Sequence, residues 1–398
     1  MDVTYLEDLG TEGRWLADMT TVSPVLDLDD ADALIVADSD GALRSAALAG
    51  AQVRASAASF DDVVGDRLRD LRPRSVVFVS GAGRSSRASS FLVAAVAPRI
   101  GVPLVRASVT PPWVGPLDVV VVAGDDAGDP RLAESTAAAV RRGAETILVT
   151  PDEGPLRSAA AGRAFFLPPR IAVREHNMLM RYVAAGICVL GAVADGVYGS
   201  ALPDLGRLAD RLDDEAAQNH PLREGFRNPA KSVATRMVGK RIVFTGIGAA
   251  GTDTARHSSE IMLRAAGAVT AAGEISEVVA AAIAVRDTGS ASPADYDPFF
   301  HDDQVDGPRP EAGVRVLVLA PSARTFEAER RTAALPEVDL LIASPPQTQA
   351  TSDAGHATSP SHDPGDSAAS GLDDVESMAI LATRLELSAA YLHLMGGQ

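Results

Sequence analysis

The chain has 398 residues, 46 % of them apolar, and a formal net charge of −17. That length exceeds one ordinary hydrophobic core and suffices for two, while the acidic balance argues against a sequence-independent nucleic-acid binder or a protein held on anionic membranes, both of which need a basic footprint. Its single cysteine, Cys188, rules out an intrachain disulfide framework and a cysteine-based zinc site.

The first residues, Met1-Asp2-Val3-Thr4, lack the basic start and apolar core of a secretory leader. The longest apolar stretch, residues 182–193, is short for a bilayer and reads as a buried helix. A cytoplasmic location without membrane contact is the expectation. Lysine occurs only as Lys231 and Lys240, so the positive charge is almost entirely arginine.

In chain order, residues 1–73 form a prelude, with a helical pattern over 5–20, a short strand at 33–37 and an amphipathic helix over 59–71. A strand–helix rhythm follows through 74–198. Strands are expected at 75–80, 103–107, 118–123, 145–150 and 165–167. Helices are expected from Ser85 or Ser86 to about 97, over 131–142 with Gly143 as the stop, and over 171–197. Residues 199–238 read as a helical linker in which Asn228 caps a helix that starts with Pro229. The rhythm then repeats through 239–398: strands at 241–245, 269–272, 314–320 and 338–343, and helices to 266 and between the last two strands. A Ser-, Ala- and Pro-rich segment over 347–371 reads as a disordered loop, and a helix over 375–395 closes the chain. Alternating strands and helices predict parallel sheets with right-handed crossovers, so ligands are sought at the carboxyl ends of strands.

Two glycine turns stand at matching points. Ser80-Gly-Ala-Gly-Arg-Ser-Ser86 follows the first strand of one half, and Thr245-Gly-Ile-Gly248 follows the first strand of the other. Glycines let backbone approach a ligand, and free N–H groups at the next helix suit a phosphate; an ordinary tight turn has the same composition. The third strand leads into Ala123-Gly-Asp-Asp-Ala-Gly-Asp-Pro-Arg131, where three aspartates would repel an anion but could meet a metal or a polyol, or simply start a helix. Asp38-Ser-Asp-Gly41 together with Asp125 and Asp129 echoes haloacid-dehalogenase-like phosphatases, but the lysine that chemistry needs between the two motifs is missing. Arg170 after Pro169 could reach a sugar or phosphate with its fork, or be salt-bridged; Lys231 reads as structural. His257 and Glu260 lie one turn apart, and His176 and His301 are isolated. No histidine pair has zinc-motif spacing, and no metal site or cofactor is expected.

The order of these motifs resembles the bifunctional phosphoglucose/phosphomannose isomerases of the SIS (sugar isomerase) fold, and among them the divergent actinobacterial TobH-type members. The resemblance rests on the turn Gly81 to Ser85, on Arg141-Arg-Gly-Ala144, on Pro169-Arg170-Ile-Ala172, on Asn228-Pro-Ala-Lys231 and on the second turn at Gly246. It implies an α/β fold of two tandem SIS domains, each a parallel sheet flanked by helices, in a homodimer. It also implies aldose–ketose isomerisation of hexose 6-phosphates through an enediol by general acid–base chemistry. Carried onto this chain, substrate would be held by Gly81, Gly83, Ser85, Ser86, Arg170, Thr245, Gly246 and Gly248. Glu260 would be the base, and His257 or His301 would open the sugar ring. The family's hydroxyl-rich phosphate loop falls on Asp125 to Pro130, where only Gly128 is retained, and its glutamate falls near Leu263 or Arg264, with Glu260 the nearest carboxylate. The alternative is a non-catalytic SIS protein that binds a carbohydrate derivative or an enzyme partner and regulates sugar metabolism.

Overall fold

The fold comes from a computed structural model that describes residues 26–69, 71–194, 202–281, 312–335, 337–343 and 369–396. The helix expected over 5–20, His301 and nearly all of the loop expected over 347–371 lie outside the described residues.

Four helices come first: α1 (Ala31–Ala37), α2 (Ala42–Ala47), α3 (Ala49–Val63) and α4 (Gly65–Arg69). The first half then runs β1 (Ser75–Ser80), α5 (Arg84–Val96), β2 (Leu104–Ala107), β3 (Asp118–Ala123), α6 (Pro130–Arg141), β4 (Glu145–Val149), α7 (Gly154–Ala160), β5 (Phe165–Phe166) and α8 (Leu179–Val193). Two helices, α9 (Leu205–Gln218) and α10 (Pro229–Met237), lead to the second half. This comprises β6 (Arg241–Gly246), α11 (Gly248–Ala266), β7 (Ala271–Ala272), α12 (Ile275–Ala280), β8 (Val314–Ala320), α13 (Thr325–Thr332), β9 (Val338–Ile342) and α14 (Ala369–Leu394).

Both sheets are parallel throughout and share one topology: β2-β1-β3-β4-β5 in the first half and β7-β6-β8-β9 in the second. The order reverses between β1 and β3, and again between β6 and β8. The carboxyl ends of those pairs are therefore the two switch points where such sheets take ligands. The strands are valine-rich because helices cover both faces. In β1, Val77 and Val79 pack on the side of α6 and α7, whereas Val76 and Phe78 face a larger core. Phe244, Leu317 and Leu319 of the second sheet join that same larger core, together with α5, α8, α11 and α14. The halves thus share one apolar interior. Among the described residues, the segment Glu175–Val193 alone is long and apolar enough to cross a membrane, and 72 % of its apolar window is buried inside the protein.

Several expectations are corrected. Residues 33–37 belong to a helix, not a strand: Asp30 accepts the Ala33 N–H at 2.9 Å as N-cap of α1, and Leu34 is the residue that reaches the core. Asp38 therefore ends a helix and accepts the Leu43 N–H, a setting unlike a phosphatase nucleophile after a strand. The helix expected over 59–71 starts at Ala49 and breaks after Val63. The helix expected from 171 starts at Leu179. The preceding stretch is held in place by other bonds: the Asn177 carbonyl accepts Gln52 Nε2 at 2.9 Å, and the Ser45 hydroxyl donates to Asn177 Oδ1 at 2.8 Å. The cap of α5 is Gly83, with no side-chain bond, rather than Ser85 or Ser86. The last helix begins at Ala369, inside the segment read as a loop.

Candidate functional site

At the first switch point, the Gly81 N–H donates to the Ala123 carbonyl at 2.9 Å, stitching the turn after β1 to the end of β3. Gly83 follows with φ +78°, a conformation that suits glycine, and no atom lies within 4 Å of where a Cβ would stand. The α5 helix then starts without a side-chain cap, leaving its first N–H groups available to an anion. Ser86 is half-buried beside Ser85. Ser85 is fully buried and its hydroxyl has no partner.

Arg84, the first residue of α5, is 6 % exposed, yet its Nε and Nη1 are buried without hydrogen-bond partners. A guanidinium in that state costs free energy that a bound anion would return. Arg84 and Asp125 follow the paired strands β1 and β3, and the Arg84 charge acts through space on Asp125 and on His176. Sequence reasoning weighed the glycines and serines of this turn and passed over the arginine between them. Its type and place were visible, but its lack of a partner is a property of the fold.

The three aspartates after β3 have separate fates. Asp129 caps α6 by accepting the Arg131 N–H at 2.8 Å, and Asp126 accepts the Gly128 N–H at 2.7 Å. Asp125 is half-buried, and its Oδ1 accepts the hydroxyl of Tyr182 from α8. Burial is the largest influence on Asp125 and pushes its carboxyl above the usual value, against the pull of Tyr182, Arg181 and Arg84. Among the described residues, no group of acidic, histidine or cysteine side chains is arranged to hold a metal ion.

The second switch point is filled. A Cβ on Gly246 would stand 2.2 Å from the Gly251 carbonyl carbon, so strand and helix backbones touch there. Thr245 is fully buried. Gly248, with φ +74°, is covered by Arg324: a Cβ there would lie 2.5 Å from Nη1. Arg324 is in turn held by Glu327 through bonds of 2.8 and 3.0 Å.

Of the remaining predicted site residues, His257 lines a small cavity with Arg87, Phe91 and Asp253. Glu260 accepts Arg87 at 2.7 Å across the α5–α11 contact, one turn into α5 from Arg84, and its Oε2 is buried without a partner. His257 is 1 % exposed and shares its Nε2 with Glu386 Oε1 at 3.0 Å, while Glu386 Oε2 accepts Asn177 Nδ2 at 2.8 Å. This chain of bonds ties α11 and α14 to the first half, a role no local motif announced. Arg170 makes an exposed ion pair with Asp62 at 3.1 Å and lines a different cavity with Gln52, Ser59 and Arg181. Lys231 is structural, donating to the carbonyls of Pro221 and Arg223 at 2.7 Å each.

No family model matches this sequence, and no curated protein matches it. Solved structures do match. One is a candidate phosphosugar isomerase from Silicibacter pomeroyi, 15 % identical over 89 % of this chain and 95 % of its own, with a TM-score of 0.53. Another is the C-terminal domain of glucosamine-fructose-6-phosphate aminotransferase from Francisella tularensis, 10 % identical over 89 % of this chain and 96 % of its own, TM-score 0.54. The chain has the tandem SIS fold. A hypothetical protein from Thermus thermophilus shares it at 12 % identity, 93 % coverage of this chain, 89 % of its own, and a TM-score of 0.61. In tandem SIS terms, the open and filled switch points are equivalent positions of the two halves.

Proposed function

We propose that this SIS protein binds a phosphorylated sugar derivative at the first switch point, with the phosphoryl group on Arg84 and the uncapped start of α5. The observation that carries this reading is the buried guanidinium of Arg84, the first residue of α5, with two unpartnered nitrogens after an open glycine turn. Hydroxyl donors of a conventional phosphate loop are replaced here by one arginine. Fold relatives that include a candidate tagatose-6-phosphate ketose/aldose isomerase from Clostridium novyi support the ligand class.

Binding without turnover is the first reading, because His257 is engaged with Glu386 and Glu260 with Arg87. A hexose 6-phosphate isomerase is the second. It is favoured by Glu260 Oε2, which is buried without a hydrogen-bond partner beside α5. A ligand that binds only the folded state raises the melting temperature, increasingly so as its concentration exceeds Kd. A thermal-shift series with glucose, mannose and fructose 6-phosphates tests the binding, and no stabilisation by any of them removes the reading. Exchange of the C2 hydrogen with D₂O, followed by NMR, tests the isomerase. Exchange that Glu260→Gln abolishes supports it, and exchange no faster than a blank refutes it.

A further inference from the structure

A cavity that shares no residue with either glycine turn lies between α3, β4, the segment after β5 and α8. Gln52 and Ser59 of α3, Arg181 of α8 and Arg170 line it together. Gln52, Ser59 and Arg181 are 3 %, 2 % and 6 % exposed. Gln52 Nε2 is engaged by the Asn177 carbonyl, so its Oε1 is left without a donor, and the Ser59 hydroxyl is buried without a partner. Arg181 donates to the Leu167 carbonyl at 2.8 Å, and its guanidinium lies 5.0 Å from the centre of the Tyr182 ring. Among the described residues no carboxylate forms an ion pair with it, and Asp125 acts on it only through space. Burial is the largest influence on Arg181 and disfavours its charge.

A buried cation without an anion is costly. A water would serve Gln52 and Ser59 but bring no negative charge. A halide or nitrate would bring charge but no hydrogen for Gln52 Oε1. An oxyanion that keeps one hydrogen meets all three needs. Its charged oxygens accept from Arg181 and from the Ser59 hydroxyl, and its own O–H donates to Gln52 Oε1. We propose that this cavity binds a small hydrogen-bearing oxyanion, of the bicarbonate or hydrogen-phosphate kind. The space, with its open mouth, is about 320 Å³, and its enclosed part admits about one water-sized group. The occupant is therefore an ion of a few atoms rather than a sugar. Arg170, held only by an exposed pair with Asp62, is the lining side chain free to yield as the ion enters.

Titration calorimetry of bicarbonate, and separately of phosphate, into Arg84→Ala tests this with the switch-point arginine removed, at neutral pH and constant ionic strength, with nitrate as the control. At least one of the two ions is expected to bind about 10-fold more tightly than nitrate, and the tighter of them names the ion. Adding Ser59→Ala should weaken that binding about 10-fold. It should leave the melting temperature of the free protein unchanged, because the hydroxyl it removes has no partner. Equal affinity for nitrate, or binding unmoved by Ser59→Ala, overturns the proposal. No binding of either ion also overturns it and leaves the cavity to a water. Glucose 6-phosphate binding by the wild type is measured separately, so the phosphosugar reading and this one can fail independently.

Discussion

The two switch points arise from the same topology and the same kind of glycine turn, yet one is open and the other closed. In the first, Gly83 faces empty space and Arg84 lies buried with unpartnered nitrogens. In the second, Gly246 is pressed on Gly251, and Arg324 lies across Gly248 with its charge already met by Glu327. A glycine turn at a strand end is thus no site in itself. What distinguishes the halves is whether the arginine next to the turn has a partner within the protein.

The comparison can be broken by substitution, and the largest effect belongs to the closed half. Gly246→Ala forces a methyl into backbone at 2.2 Å, and the loss should be about 3 kcal/mol or more in urea denaturation. Gly83→Ala meets no atom and suffers only from its backbone conformation, φ +78° and ψ −135°, at about 1–3 kcal/mol. Arg84→Ala should weaken sugar-phosphate affinity by roughly 30-fold, the value of a charged hydrogen-bonded contact, with little loss of stability because its Nε and Nη1 have no partner. Arg324→Ala should leave that affinity unchanged and cost no more than about 1 kcal/mol, since its pair with Glu327 is a third exposed.

The smallest effect is a titration. His176 is held below its ordinary value of 6.5, first by burial, with Glu386 opposing and Arg174, Arg264 and Arg84 adding to the decrease. Its folded-state value lies below the unfolded one, so the stability it contributes is complete above about pH 6.5 and is lost as pH falls toward the folded-state value. A phosphoryl group on Arg84 would offset one of the charges that lower it. Saturating sugar phosphate should therefore raise the His176 value in an NMR titration, and an unmoved curve would place the anion elsewhere.

The architecture was largely legible in the chain. Runs such as Asp118-Val-Val-Val-Val-Ala123 and Val314 to Ala320 announce buried parallel strands, and their order with the helices leaves little freedom of topology. Residues 33–37 misled because Leu34-Ile35-Val36 reads as a strand, when only Leu34 is buried and Asp30 caps a helix. The site was legible in part. Gly83, Gly248 and the acidic loop were visible as motifs. Partnership was not: His257 is explained by Glu386, Asp125 by Tyr182 and Glu260 by Arg87, and each partner lies far away in sequence. Arg84 starts α5 and Arg324 follows β8, and what separates them at the glycine turns is the partner: Glu327 holds Arg324, while Arg84 Nε and Nη1 have none.

Titration calorimetry of a hexose 6-phosphate into the wild type, Arg84→Ala and Arg324→Ala tests the contrast between the switch points most directly. The account predicts one binding event per chain, weakened roughly 30-fold in Arg84→Ala and unchanged in Arg324→Ala. Undiminished binding by Arg84→Ala, or loss of binding in Arg324→Ala, would contradict it.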